Sequence, residues 1–181
     1  MKVFVGVNSP LQIKEEIVLI QQQLERLEIK ARWVKPEVAH LTVVFLGSIK
    51  ENHVKTVETI LADSTRKVSQ ISLTLSKVEA FPNLRRATTV ILSLDGEIKR
   101  LEGLTQKIRE GLKAKGLPFD TKPFIPHLTL GRLRKRQNLT EIAAKIKIKS
   151  AKFVFKELIL FESKTFTEGP EYRKINTFPL C

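Results

Sequence analysis

One pattern occurs twice in the chain and sets the first constraint on its fold: His40-Leu41-Thr42-Val43 and His127-Leu128-Thr129-Leu130. In an extended strand, residues two apart project from the same face. Each segment therefore presents an imidazole beside a hydroxyl on one side and apolar side chains on the other. Leu41, Val43 and Phe45 are expected on the packed face of the first strand, Leu128 and Leu130 on that of the second. The chain has only three histidines, and these strands use two of them. His53, in Glu51-Asn52-His53-Val54, lacks the pattern and reads as a surface residue at a helix start. A lone strand histidine is commonly structural, whereas a matched pair in so histidine-poor a chain reads as one site made in two halves.

The flanking periodicity places these strands in a mixed fold. Lys2–Val7 alternates as a short strand, and Ser9-Pro10 with Gln12 reads as a capping box opening a helix. Ile13, Ile17, Ile20, Leu24 and Leu27 form one face of that helix. Residues 31–34 and 39–46 are extended on either side of Pro36, and Val54, Val57, Ile60 and Leu61 mark a second helix ending near Asp63. Strands are expected around 70–80 and 87–94, joined at Pro82-Asn83. A third helix carries Ile98, Leu101, Leu104, Ile108 and Leu112 and stops at Gly116. Prolines 118, 123 and 126 keep the approach to His127 irregular. A short helix capped by Asn138 and Glu141 follows, then strands at 151–161 and 171–178 with a turn at Gly169-Pro170. Lys145, Lys147 and Lys149 alternate with isoleucines, as residues guarding a sheet edge do.

Strands and helices mix without a βαβ rhythm, which predicts an α+β fold with largely antiparallel sheets. No linker divides the chain, so residues 1–181 read as a single domain of two small lobes around one cleft, with a diverged duplication as a hypothesis for the pair. The apolar fraction of 42% suffices for a core. The sole cysteine, Cys181, excludes an internal disulfide and a cysteine-based metal site. No signal-peptide core and no membrane-length apolar run is present, so a cytoplasmic protein without membrane association, and a monomer, is expected. The net charge of +13 points to an anionic partner such as RNA, DNA or a phosphorylated small molecule, with a lysine-rich solvated surface as the bland alternative.

Two facing histidines can share one proton, the neutral ring deprotonating water and the charged one protonating a leaving oxygen. In-line displacement at phosphorus needs that polarity, because nucleophile and leaving group lie on opposite sides. Thr42 and Thr129 are placed to hydrogen-bond the non-bridging oxygens, and nearby arginines to offset developing charge. No metal or cofactor is required, and no carboxylate–histidine cluster suggests one. From residue chemistry alone, the two histidines are interchangeable.

These motifs resemble those of the two-histidine phosphoesterase superfamily, and within it the RNA 2′,3′-cyclic phosphodiesterases, also called 2′–5′ RNA ligase-like proteins. The likeness runs nearly end to end. It takes in Met1–Val7, Trp33-Val34, His40–Gly47, Phe81–Arg86, Phe124–Arg132 and Gly169–Tyr172. The resemblance implies a bilobed fold, two antiparallel sheets facing across a central cleft with helices outside. It also implies metal-independent hydrolysis of an RNA-terminal 2′,3′-cyclic phosphate to a 2′-phosphomonoester, with reversible 2′–5′ RNA ligation as a side activity. His40 would then be the proton donor and His127 the proton acceptor, with Thr42 and Thr129 on the phosphate.

Arg132 lies three after Thr129, an odd offset that needs a bulge at Gly131 to bring it to the same face. Arg85 and Arg86 are RNA contacts or a solvated loop pair. Arg134 and Arg136 either steer an RNA end or form a solvated connection. Trp33 and Tyr172 are candidates for stacking on bases, while Phe45 and Phe124 read as core. Two alternatives stand beside the enzyme reading: a basic RNA-binding module without catalysis, and a phosphodiesterase for small cyclic nucleotides.

Overall fold

In the computed structural model, which describes residues 1–167 and 169–181, the two histidine strands lie side by side at the centre of one antiparallel sheet. The strands are β1 (Lys2–Asn8), β2 (Ala31–Trp33), β3 (His40–Ser48), β4 (Ile71–Phe81), β5 (Ala87–Gly96), β6 (His127–Gln137), β7 (Lys152–Phe155), β8 (Glu157–Phe166) and β9 (Gly169–Pro179). Their order is β7-β4-β5-β6-β3-β1-β8-β9, with β2 added beside β6. The helices are α1 (Leu11–Arg26), α2 (Val54–Thr65), α3 (Ile98–Ala114) and α4 (Thr140–Lys145).

The two expected sheets are the two halves of this ladder, and they meet at one residue pair, Leu41 opposite Leu128. Both leucines are buried, each 1% exposed. On either side of that pair β3 and β6 diverge, and the divergence is the cleft. The order is symmetric about the junction. β1–α1 leads into β3 and is followed by α2; β5–α3 leads into β6 and is followed by α4. The repeated motif is thus embedded in a repeated arrangement of elements, with β1 and β5 as the flanking partners.

Helix faces are those the periodicity predicts. Ile13, Ile17, Ile20 and Leu24 of α1 are fully buried, as are Leu101, Ile108 and Leu112 of α3. Each such side chain contributes about 1.5–3 kcal/mol by leaving water. Leu27, at the end of the α1 stripe, stays exposed.

Several local expectations give way to tertiary demands. Pro10, not Ser9, is the N-cap of α1; Ser9 is buried, and Gln12 donates instead to the Lys152 carbonyl at 2.9 Å. Leu139, not Asn138, is the N-cap of α4; Asn138 stands one residue earlier, where its side chain accepts from Thr140 N–H at 3.0 Å, and Glu141 returns no bond to it among the described residues. The strand expected over 151–161 breaks at Lys156, because β7 pairs with β4 in one half and β8 with β1 in the other. Gly169 and Pro170 belong to β9, with Gly169 opposite Phe166, rather than to a turn. The Lys145–Lys149 run guards no sheet edge. It lies along α1, where Lys147 N–H donates to Gln23 and Lys149 N–H to the buried Glu16, each at 2.8 Å. No helix among the described residues is long and apolar enough to cross a membrane.

Candidate active site

Residues directly opposite in antiparallel strands share a face. Continuing the register one step from Leu41 and Leu128 sets His40 across from Thr129 and Thr42 across from His127. Each histidine therefore faces the other motif's threonine, and the four polar side chains line one cleft. His40, Thr42, His127 and Thr129 are all half-buried, as groups must be that touch a ligand yet stay fixed.

Both rings are oriented by the same device. Nδ1–H of His40 donates to the Val38 carbonyl at 2.8 Å, and Nδ1–H of His127 donates to the Ile125 carbonyl at 2.6 Å. In each case the acceptor lies two residues upstream. A carbonyl can only accept, so Nδ1 carries hydrogen and Nε2 is the nitrogen left for chemistry. His40 Nε2 lies 3.1 Å from Thr42 Oγ1, and the hydroxyl donates to it when the ring is neutral.

Aromatic rings complete the walls. His40 packs at 4.7 Å from Phe4 and edge-on to Tyr172 at 4.8 Å, while His127 meets Phe81 edge-on at 4.9 Å. Burial holds both histidines below their ordinary pKa of 6.5, against the opposing pull of their carbonyl partners. Charge on His127 lowers His40 further, so a second proton on the pair is disfavoured. Burial raises the Tyr172 phenol, and the positive charge of Arg132 draws it back, which puts that guanidinium within electrostatic reach of the phenol.

Arg132 reaches the cleft through a bulge. Val90 pairs with Gly131 and Ile91 with Thr129, so Leu130 is an extra residue in β6 and the alternation of faces is reset. The Leu130 carbonyl accepts from Val34 N–H at 2.9 Å and from Gln21 Nε2 at 3.0 Å, so a buried glutamine of α1 anchors the bulge. Arg132 ends exposed, opposite Thr89, whose hydroxyl it approaches at 3.5 Å.

β3 repeats the device. Val5 pairs with Val44 and Gly6 with Thr42, so Val43 is extra there. The third residue beyond each threonine is thereby turned into the cleft: Arg132 in one strand, Phe45 in the other. This corrects the expectation of a packed Phe45, which is 39% exposed and stacks against Phe4 at 6.5 Å. Phe124 is half-buried against the core, as expected.

The remaining candidates are dispersed. Tyr172 is at the site. Arg85 and Arg86 are exposed in the turn after Phe81, at the Thr89–Arg132 end of the cleft. Trp33 is not brought to the histidines. It packs over Gly131, where a Cβ would fall 2.6 Å from its ring, and beside Arg134 near Glu25 and Glu28 at the end of α1. Arg136 is exposed farther along β6. His53 is half-buried in a turn before α2. Gln21, Phe4 and Phe81 support or line the site and were missed by sequence reasoning, as was the place of Arg32. Arg32, for example, is visible only once β2 is registered against β6, where it lies directly opposite Arg132. No cluster of three or more metal-ligating side chains gathers among the described residues.

Known proteins share the family and the fold. Residues 13–165 match the 2′-5′ RNA ligase superfamily. An RNA 2′,3′-cyclic phosphodiesterase of Archaeoglobus fulgidus is 31% identical over 98% of this chain and 99% of its own length. The crystal structure of TT0787 of Thermus thermophilus has the same fold, with a TM-score of 0.83 and 22% identity, covering 99% of this chain and 98% of that one. So has Escherichia coli LigT complexed with 3′-AMP, with a TM-score of 0.75 and 22% identity over 99% of this chain and 97% of that one.

Proposed function

From the premise that the chain belongs to the 2′-5′ RNA ligase superfamily, we propose that it is an RNA 2′,3′-cyclic phosphodiesterase, opening a terminal cyclic phosphate to a 2′-phosphomonoester without a metal ion. Relatives bearing that activity in their names match over nearly the whole chain. The observation that carries the reading is the matched fixing of the two imidazoles, each held through Nδ1 with Nε2 left for the substrate.

In the proposed reaction His127 Nε2 takes a proton from water as the oxygen attacks phosphorus. The bond from phosphorus to O3′ breaks on the opposite side, and O3′ takes the proton of His40 Nε2. The products are a 2′-phosphate and a 3′-hydroxyl. The protein is left with the proton moved from His40 to His127, and exchange with solvent restores it. Thr42 and Thr129, each across from the other motif's histidine, donate to the non-bridging oxygens, and Arg132 offsets their charge. The assignment of acid to His40 and base to His127 follows the family resemblance, since both rings are fixed in the same way through Nδ1. With a 5′-hydroxyl in place of water, the same steps join ends through a 2′–5′ linkage, and run backwards they cleave that linkage to the cyclic phosphate. A monomer acting in the cytoplasm belongs to the same reading.

The test is incubation of the purified protein, with EDTA present, with an oligoribonucleotide ending in a 2′,3′-cyclic phosphate, followed by identification of the product. A 2′-phosphate, lost in His40→Ala and in His127→Ala, is expected. Full turnover in the double variant, or RNA binding with no turnover by the parent, sinks the proposal; a 3′-phosphate would reverse the leaving group.

A further inference from the structure

The two carbonyls that orient the histidines are held in place differently. Val38, which holds His40, closes a turn of 3-10 helix over Pro36–Val38. The peptide carrying its carbonyl ends in Ala39 N–H, which donates to the Pro36 carbonyl at 3.1 Å. Backbone alone therefore fixes that carbonyl. Ile125, which holds His127, lies in residues 117–126, which form neither helix nor strand. Its carbonyl belongs to the peptide bonded to Pro126, so that peptide has no N–H to anchor it. The direction of the carbonyl is inherited from upstream. There Lys122 is pinned on both sides. Its N–H donates to Asp120 Oδ1 at 2.9 Å, and its carbonyl, again bonded to a proline, accepts from Arg109 Nη2 of α3 at 3.0 Å. Asp120 N–H in turn donates to the Phe45 carbonyl at 2.8 Å. Phe119 and Phe124 pack against the core and set how deep the chain lies, but an apolar contact does not fix the rotation of a peptide. Arg109 follows the fully buried Ile108, and its Nε is shut away from solvent, so the guanidinium lies against the protein rather than in water.

We propose that Arg109 is a positioning residue for His127: by holding the Lys122 carbonyl it aims the Ile125 carbonyl, which keeps hydrogen on Nδ1 and leaves Nε2 bare. The proposal rests on the reading of the histidine pair given above and adds a residue that acts through the chain rather than on the ring. Pro123 transmits the constraint, because its ring locks φ at about −65°. Without that hold the Ile125 peptide turns more freely, and His127 flips or takes the other tautomer. A ring with hydrogen on Nε2 cannot take a proton from water there. His40 does not depend on Arg109, because its carbonyl is closed within its own turn. The two halves of the site thus differ in what supports them, although their motifs match.

The test is the tautomer of each imidazole, read by long-range proton–nitrogen NMR on isotope-labelled protein at a pH where the rings are neutral. Signals are assigned from His40→Gln and His127→Gln. Arg109→Met keeps an apolar stem and removes the donor. In it His127 is expected to pass in large part to the Nε2–H form while His40 stays Nδ1–H. Arg109→Lys, which keeps a donor, is expected to restore the parent's form. On a cyclic-phosphate substrate kcat is expected to fall about tenfold in Arg109→Met, with KM little changed. His127 still Nδ1–H in Arg109→Met overturns the proposal, whatever the activity. An equal change at His40 also overturns it, since that is general loosening. Should Arg109→Met not fold, Arg109→Gln is read in the same way, its amide being too short to reach Lys122. The spectra need no substrate, so absence of turnover in the parent would defeat the phosphodiesterase reading and leave this test standing.

Discussion

At the scale of residues, the site depends on two imidazoles kept from taking more than one proton between them. Burial holds each below its ordinary 6.5, and the charge of His127 lowers His40 further. The form with one proton shared by the pair thus peaks on the acid side of 6.5. A bell-shaped kcat/KM profile with its maximum below that pH is expected; a maximum well above it would contradict the burial argument. The same burial links stability to pH. The unfolded chain protonates these histidines first as pH falls, so their contribution is intact above about 6.5 and lost on acidification. The slope is up to about 1.4 kcal/mol per pH unit for each histidine, until the folded rings protonate as well. Denaturant midpoints measured from pH 8 to pH 5 should fall in the parent and fall less steeply in the His40→Gln, His127→Gln double variant. Which residues share the cleft was only half legible. His and Thr two apart reveal their common face by strand periodicity, but Phe45 and Arg132, three beyond each threonine, cannot be placed by alternation alone.

At the scale of elements, the reason is the pair of bulges. Each inserts one residue after a His-x-Thr segment, which no local propensity signals, since a bulge is defined by the partner strand. Gly131 hinted at one of them; nothing in Val43 marks the other. Helices were read well because their apolar spacing is set by their own geometry, and α1 lies where Ile13, Ile17, Ile20 and Leu24 require. Its polar member Gln21 was missed, because a glutamine within an apolar stripe gains meaning only from the carbonyls it meets. Those are Val34 at 2.8 Å and Leu130 at 3.0 Å. Replacing Gln21 with leucine should cost about 1–3 kcal/mol by leaving buried carbonyls short of a donor. It should also lower activity on RNA ends by loosening the bulge that aims Arg132. Chemical denaturation alongside kinetics checks this, and a variant as stable and as active as the parent would remove Gln21 from the site's support. Ile17→Ala, by contrast, removes packing alone and should cost about 2–5 kcal/mol.

At the scale of the whole molecule, two half-sheets joined at Leu41 and Leu128 hold the motifs in mirrored roles. Truncating Leu128 to alanine should cost about 2–5 kcal/mol, because the junction is fully packed and both halves lose contacts. The net charge of +13 agrees with an anionic partner, and Arg132, Arg85 and Arg86 lie at one end of the cleft. The duplicated motif announced a paired site from sequence alone. That the halves join into one curved sheet, with β7 and β8 split between them, was not legible, since strand partners distant in sequence are chosen by tertiary packing.

The central claim is that the two histidines do opposite jobs on one phosphorus. It is tested most directly with a 2′,3′-cyclic substrate in which sulfur replaces the 3′ bridging oxygen, because a thiolate leaves without needing a proton. His40→Ala should regain much of its lost rate on that substrate, while His127→Ala should remain impaired. Rescue of His127→Ala in its place, or of neither variant, would contradict the division of labour.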